Sequence, residues 1–376
     1  MTAPHVITLG CRLNHAESAR LAAELGDLRE TVLVNTCAVT AQAVRDSRRA
    51  VRQARRGGAR VIATGCAATI DPAGFAEIAD RVIPNAEKPQ GAVIGRHTRA
   101  FVPVQNGCDH ACTFCIIPLG RGPSRSRPVS DVVAEIALLV EAGVAEVVLT
   151  GVDLTSYAPP SLGTLVAAIL NGVPALRRLR LSSLDGVEID PLLLDLLVGE
   201  RRVMPHAHLS LQSGDDLILK RMKRRHSRAQ ALELVATLKA ARPEIAIGAD
   251  IIAGFPTESD AAHRNNLSLI EECEIVHGHV FPYSPRPGTP AARMPQVESQ
   301  ILRERAAELR AAVAANRERW LAGHVGQTSE VLAEQDGTGH APDFARFRLP
   351  PGIRPGAVSA LRAAGVVEGL LIGHPA

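Results

Sequence analysis

The sequence predicts an α/β protein in three parts: a small doubly wound parallel domain over residues 1–92, a partial (β/α)6 barrel over 98–317, and a small β-barrel over 318–376. Three observations predict it. Short β-branched apolar runs alternate with helical patterns through most of the chain. Several of those runs end in cysteine or in a polar residue. Beyond residue 320 the pattern changes to short apolar alternations broken by Gly and Pro.

The first part reads, in order, as VITLGC, a helix over 14–25, TVLVNTC, a helix after Thr40, RVIATGC, a short helix over 72–79, and RVIPN. Near-continuous apolar strands suit a parallel sheet covered on both faces. Cys11, Cys37 and Cys66 each end one of these runs. In an open parallel sheet the carboxyl ends of the strands lie along one edge, where such folds place their ligands, so the three thiols are expected to converge. One such cysteine would read as a small buried hydrophobe; the same event three times reads as a ligand set. Thr40 is the predicted N-cap of a helix whose Arg45, Arg48, Arg49, Arg52, Arg55 and Arg56 recur at helical spacing, giving a basic face able to meet phosphate. GAVIGRHTRAF, residues 91–101, reads as a connector.

The barrel is predicted from six strands, FVPVQ, EVVLTG, LRLSS, HLSLQ, IGADIIAGF and HGHVFPYS, with helices over 130–142, 162–170, 190–199, 216–241 and 259–273. Cys108, Cys112 and Cys115 follow the first strand as C-x3-C-x2-C, on the face where a barrel carries its active site. Three thiolates can hold three irons of a four-iron cluster and leave the fourth open for a ligand. A zinc site borrowing His110, or a disulfide with a spare thiol, is the alternative. Gln212, Ser213, Asp250, Ser182 and Ser183 lie at predicted strand ends, either as cofactor or substrate contacts or as helix caps and mouth-filling groups. His206, His208, His277 and His279 alternate along two strands and read as satisfied interior residues, and Cys273 as packing. Residues 220–225 (KRMKRR) and Arg121, Arg125 and Arg127 add cations where a polyanion can lie.

A helix over 298–320 leads to the last part, whose short alternations suit a nucleic-acid adaptor or a stabilising appendage. The net charge is only +3, and seven Phe, two Tyr and one Trp are too few for widespread base stacking, so an RNA partner would be held by arginine and shape. Seven cysteines are an odd number, six of them in two ligand-like trios, which places the chain in the reducing cytoplasm. No apolar run approaches the roughly 20 residues that span a bilayer, and no membrane partner is expected.

On these motifs the chain resembles the radical S-adenosylmethionine methylthiotransferases. GCRLNHAES, NTCAVT and VIATGCAA resemble the family's N-terminal cluster domain, QNGCDHACTFCIIPLGRGPSRSRP its radical-initiating loop, and the tail its TRAM-like RNA-binding barrel. RGPSRSRP, TGVDLTSY, LRLSSLDG, HAHLSLQSGDD and HVFPYSPRPGTPAA are most similar to the branch acting on N6-threonylcarbamoyladenosine in tRNA. Sister branches act on isopentenyladenosine in tRNA, the alternative here, and on an aspartate of ribosomal protein S12. The resemblance implies two [4Fe-4S] clusters, S-adenosylmethionine, the tRNA anticodon loop as partner and an external one-electron reductant. It implies that Cys108, Cys112 and Cys115 hold the radical-generating cluster, and Cys11, Cys37 and Cys66 the auxiliary cluster that delivers a methylated sulfur to C2 of the adenine. A noncatalytic iron-sulfur or RNA-binding relative would be expected to lack a ligand, and all six cysteines are present. Two segments depart from the family pattern: GFPTES, with Thr257 where glycine is usual, and HAPDFARFRLP in the tail.

Overall fold

The computed structural model describes residues 5–26, 30–89, 91 and 98–376, so most of the predicted connector lies outside the described residues. Its first sheet is all parallel, with strands β1 (His5–Thr8), β2 (Thr31–Thr36), β3 (Arg60–Gly65) and β4 (Arg81–Ile83) in chain order. Helix α1 (Arg12–Leu25) lays Leu21 on Leu33, Ile62 and Ile83, while α2 (Ala41–Arg56) lays Val51 on Val32, Val34 and Val61. The central strands β2 and β3 are therefore buried on both faces, as near-continuous apolar runs require, while edge strand β1 stays partly exposed. Thr40 caps α2 by accepting the Ala43 N–H at 3.0 Å. Two short helices, α3 (Cys66–Ile70) and α4 (Pro72–Ala76), follow; α3, unlike α4, does not read as a helix from sequence, because five residues give no period.

The second unit is a curved parallel sheet. Strand β5 (Arg99–Pro103) is followed by a short antiparallel pair, β6 (Gln105–Asn106) and β7 (Arg125–Ser126), that closes the base of the cysteine loop and its helix α5 (Ile117–Arg121). After α6 (Val129–Glu141), β8 (Glu146–Thr150) pairs with β5, and after α7 (Leu162–Gly172), β9 (Arg178–Leu181) pairs with β8. Past α8 (Pro191–Gly199), β10 (His206–Gln212) lies beside β9, the two linked by isolated parallel bridges at flanking residues, Leu179 to Val203 before β10 and Leu184 after β9 to Leu209. The stretch 216–241 is two helices rather than one: Lys223 ends α9 (Asp216–Met222) at φ 57°, and Ser227 with Gln230 forms a capping box that starts α10 (Arg228–Ala241). Ser-x-x-Gln is a legible start signal that an uninterrupted helix overlooks. Strand β11 (Ala246–Ala253), α11 (Asp260–Glu272) and β12 (Ile275–Pro282) complete six parallel strands in chain order.

Helix α12 (Ser299–His324) runs unbroken across residue 317, where the sequence-based boundary was drawn. It leads to a closed barrel of β13 (Thr328–Ala333), β14 (Thr338–His340), β15 (Arg346–Arg348), β16 (Val358–Val367) and β17 (Leu370–Pro375), around Val331, Phe347, Leu361 and Leu371.

Two devices weld this barrel to the parallel one. Fully buried Glu146 binds Arg178 and Arg180, whose remaining donors reach carbonyls of Glu330, His340 and Pro342 at 3.1–3.2 Å. Phe344, at φ 77°, sets its ring 4.8 Å from the Arg180 guanidinium, 5.5 Å from those of Arg12 and Arg99, and 5.1 Å from the His206 ring. The departing tail segment is thus committed to an internal contact, with its aromatic ring turned from solvent toward cations of the other two units. Phe344→Ala is expected to cost about 2–3 kcal/mol, the lost burial plus cation–π contacts. Limited proteolysis should then cut between 325 and 376 before the parallel barrel is touched; unchanged protection would show that Phe344 carries no docking energy.

Candidate active site

All six cysteines of the two trios line one cavity of about 410 Å³, between the carboxyl ends of the barrel strands and the corresponding edge of the N-terminal sheet. Each N-terminal cysteine arrives there because its strand ends there. Two glycines make the approach close enough. Gly10 (φ 95°) precedes Cys11, and a Cβ on it would stand 2.8 Å from Cys37 Sγ; Gly65 (φ 95°) precedes Cys66, and a Cβ there would meet Thr36 O at 2.3 Å. Only a residue without Cβ fits either place.

Cys66 Sγ accepts from Arg121 Nε at 3.3 Å and from Asn85 Nδ2 at 3.6 Å. Arg121 is almost wholly buried, bonded to both oxygens of Glu17, which also takes Lys88 Nζ at 2.6 Å. Burial opposes the Arg121 charge, but Cys66 and Glu17 more than offset it, so its pKa is raised. Arg121 is therefore not part of an RNA-facing patch, and Arg127 is likewise spent on Glu135 and the Pro103 carbonyl. In residues 220–225, Arg224 turns inward to Asp185 and to Cys112 Sγ at 3.8 Å, and Arg221 to Thr257 Oγ1 at 2.6 Å. Adjacent cations around the end of α9 do not share a direction, which is what the linear pattern cannot convey. On α2, Arg45, Arg49, Arg52, Arg55 and Arg56 remain exposed, whereas Arg48 packs on Phe75 and pairs with Asp71.

In the barrel loop, His110 N donates to Cys108 Sγ at 3.4 Å. Burial, with Asp153 and Cys115 beside it, pushes the Cys108 thiol up to about 12, and burial with Cys112 nearby pushes Cys115 up to about 11. Cys37 is raised too, by burial first and then by Cys66 and Cys11. These thiols stay protonated at neutral pH until a cation takes the proton's place, as metal sites assembled from thiols behave. Each trio offers three sulfurs, a donor set suited to iron-sulfur ligation. The residues present fit such a group in two places. His110 stands 3.2 Å from Asp153 and 3.5 Å from Glu188, and with Cys108 and Asp153 it forms a mixed set within 4.8 Å that leaves out Cys112 and Cys115, so it is not the three-cysteine zinc site borrowing His110.

The strand-end residues divide. Gln212, Ser183 and Asp250 line the cavity. Gln212 holds φ 64° beside a register shift between β10 and β11, a strained position of the kind that clusters at working sites. Ser213 faces elsewhere: its buried hydroxyl donates to Asn266 Oδ1 at 2.9 Å and accepts from Asp215 N at 3.2 Å, a helix-start role. Ser182 Oγ is buried without a partner. Asp250 Oδ1 takes His208 Nε2 and His279 Nδ1, each at 3.1 Å; burial would raise its pKa, but these two bonds hold it well below the usual carboxylate range. His208 and His279 thus have partners, but buried His206 has none at either ring nitrogen among the described residues, and burial keeps it neutral. Thr257 takes φ 69°, the conformation its usual glycine would supply, steadied by Arg221. Asp153 at the cysteines escapes sequence reading because no spacing links it to the trios, and Arg121 and Arg224 read in sequence only as cations for a polyanion.

Residues 102–270 match the model of the Radical SAM superfamily, and residues 4–83 that of the uncharacterized protein family UPF0004. The threonylcarbamoyladenosine tRNA methylthiotransferase MtaB of Rickettsia prowazekii (strain Madrid E) is 42% identical, across 97% of this chain and 96% of that protein. A Chlamydia pneumoniae protein of the same name is 33% identical over 92% and 91%. The tRNA-2-methylthio-N(6)-dimethylallyladenosine synthase of Anaeromyxobacter sp. (strain K) is 34% identical over 88% and 83%. In fold, a radical S-adenosylmethionine methyltransferase, TsrM, from Kitasatospora setae superposes with a TM-score of 0.56 at 14% identity, over 78% of this chain and 79% of that one.

Proposed function

Since the chain belongs to the radical S-adenosylmethionine methylthiotransferases, enzymes built on that cofactor and two [4Fe-4S] clusters, we propose that it transfers a methylthio group to C2 of N6-threonylcarbamoyladenosine next to the anticodon of tRNA. The observation that carries this reading is the single cavity lined by both cysteine trios. Cys108, Cys112 and Cys115 are assigned to the radical-generating cluster and Cys11, Cys37 and Cys66 to the auxiliary one. When bound, these groups supply one-electron cleavage of S-adenosylmethionine and a methylated sulfur.

The chain's own residues hold and shield. Ser183, just past β9, Gln212, at the end of β10, and Asp250, in β11, offer polar contacts to the cofactor or the adenosine from the barrel mouth. Asp250 is kept ionised by its two histidines and so can only accept hydrogen bonds. Apolar lining residues such as Phe281, Tyr283, Ile252 and Phe114 keep water from a reactive site. Convergence of both trios on one cavity places donor and acceptor within reach without a large motion. The exposed arginines of α2 are offered to the phosphate backbone. Divisions at 1–92, 98–317 and 318–376 assign sulfur delivery, radical initiation and RNA docking to the three parts. A reducing, cytoplasmic setting agrees with seven unpaired thiols, and one-electron cleavage of S-adenosylmethionine calls for an external one-electron reductant. No helix among the described residues is long and apolar enough to cross a membrane.

The test is an anaerobic assay of cluster-reconstituted protein with reductant, S-adenosylmethionine and tRNA carrying threonylcarbamoyladenosine but lacking the methylthio group. Nucleoside masses after digestion should show 2-methylthio-N6-threonylcarbamoyladenosine. A methylthio product only from isopentenyladenosine tRNA would move the enzyme to the other tRNA branch; no nucleoside product from either would reject tRNA as substrate.

A further inference from the structure

Arg121 ends α5, six residues past Cys115, and its guanidinium uses every N–H it has. Nε donates to Cys66 Sγ at 3.3 Å, Nη1 to Glu17 and to Asn106 Oδ1 at 3.3 Å, and Nη2 to Asn14 Oδ1 at 2.5 Å and Glu17 Oε2 at 3.2 Å. The residue is 4% exposed and lines the cavity that both trios share. Asn14 passes the contact on. Its Nδ2 donates to the carbonyls of Leu9 at 2.7 Å and Thr36 at 3.2 Å, two residues before Cys11 and one before Cys37. One side chain of the barrel unit therefore reaches all three cysteine-bearing segments of the N-terminal unit, Cys66 directly and the other two through Asn14.

Helix α5 is pressed onto that site. A Cβ on Gly120 would stand 3.3 Å from Cys66 Cβ, and the Gly120 carbonyl accepts from Asn85 Nδ2 at 2.7 Å, the same nitrogen that lies 3.6 Å from Cys66 Sγ. Arg121 and Lys88 share the Glu17 carboxylate, so two buried cations meet one buried anion, and a group held by thiolates would offset the remaining charge. The donors at the barrel trio are different ones: the His110 N–H lies 3.4 Å from Cys108 Sγ and Arg224 3.8 Å from Cys112 Sγ. An N–H aimed at a ligating thiolate draws electron density from the sulfur and favours the reduced, more negative form, which raises the reduction potential.

We propose that Arg121 is a positioning residue for the N-terminal metal site: supplied by the barrel's own cysteine loop, it holds the Cys66 sulfur and the Cys11 and Cys37 segments around the group they ligate, so that the barrel unit completes that site. This rests on the ligand assignment above. Full-length protein carrying Cys108→Ala, Cys112→Ala and Cys115→Ala retains only the N-terminal site, and its iron content and visible absorbance after anaerobic reconstitution report on that assignment alone. An empty site there would overturn the assignment and the role of Arg121 with it. In the loaded protein, redox titration followed by electron paramagnetic resonance should show Arg121→Gln shifting the equilibrium about tenfold toward the oxidised form, about 59 mV for one electron. A lysine keeps the charge but cannot serve the sulfur, Glu17 and Asn14 together, so Arg121→Lys should recover no more than about half of the shift. In the mirror protein carrying Cys11→Ala, Cys37→Ala and Cys66→Ala, Arg121→Gln should move the remaining group less than about twofold, or roughly 18 mV. An unmoved potential in the first background, full recovery by lysine, or an equal shift in the mirror protein would overturn the proposal. If Arg121→Gln leaves the N-terminal site without iron, the mirror protein decides: a barrel site that still loads with Arg121→Gln supports the proposal, and one that does not rejects it, because the residue then serves the whole fold.

Discussion

Replacing Cys11, Cys37 and Cys66 with alanine should abolish methylthiolation while leaving release of 5′-deoxyadenosine from S-adenosylmethionine, whereas replacing Cys108, Cys112 and Cys115 should abolish both. The expected loss of methylthiolated nucleoside is at least a thousandfold in either case, about 4 kcal/mol of barrel-mouth chemistry removed. The asymmetry follows from position. The barrel trio sits with Gln212, Ser183 and Asp250 at the strand ends, where the cofactor is expected, and the other trio reaches the same cavity from a separate sheet with its own core. Each alanine set removes all three thiols of one site and leaves the opposite site's surroundings intact, so iron content should fall by about half. Mass analysis of small-molecule and nucleoside products checks both halves. Continued methylthiolation without the N-terminal trio would rule out its sulfur-delivering role.

Glu146→Ala should be the most destabilising single change outside the cavity. Glu146 is fully buried between Arg178 and Arg180, which also are buried and carry the contacts to the C-terminal barrel. Removing the carboxylate strands two guanidinium groups in the interior, a loss of about 3–5 kcal/mol. That is a large part of the 5–15 kcal/mol, roughly, that holds most proteins folded. Acid should expose the same network. Burial alone would raise the Glu146 pKa, but Arg180 and then Arg178 bring it down to about 2 from an ordinary value of 4.5. A depressed pKa means that the unfolded chain takes up the proton first, so this stabilisation is complete above pH 4.5 and is lost as pH falls toward 2. The slope is about 1.4 kcal/mol per pH unit. Urea unfolding of the wild type and of Glu146→Gln should show a stability gap that narrows from pH 6 to about pH 3. A gap independent of pH would mean that the carboxylate's charge is not what stabilises the network.

Much of the fold is legible because its elements are local. The strands leading to Cys11, Cys37 and Cys66, the N-cap at Thr40 and four of the barrel helices follow from periodicity and capping chemistry that act over a few residues. The split of 216–241 rests on equally local signals at Lys223 and Ser227, hidden by a helical pattern on either side. Charge is where linear reading misleads. Arg121 and Arg224 look like surface cations next to others, yet both point inward, because their partners Glu17 and Asp185 come from 104 and 39 residues away.

By itself the sequence determined six cysteines at strand ends, the alternation that makes two parallel sheets, and a motif set that names the chemistry, since covalent spacing and backbone period are properties of neighbouring residues. Only the tertiary structure decided that the two trios share one cavity, that Ser213 turns away while Gln212 and Asp250 turn in, and that Phe344 plugs an internal contact. Each of these depends on which distant segments meet, and that is set by burial and charge compensation summed over the whole molecule.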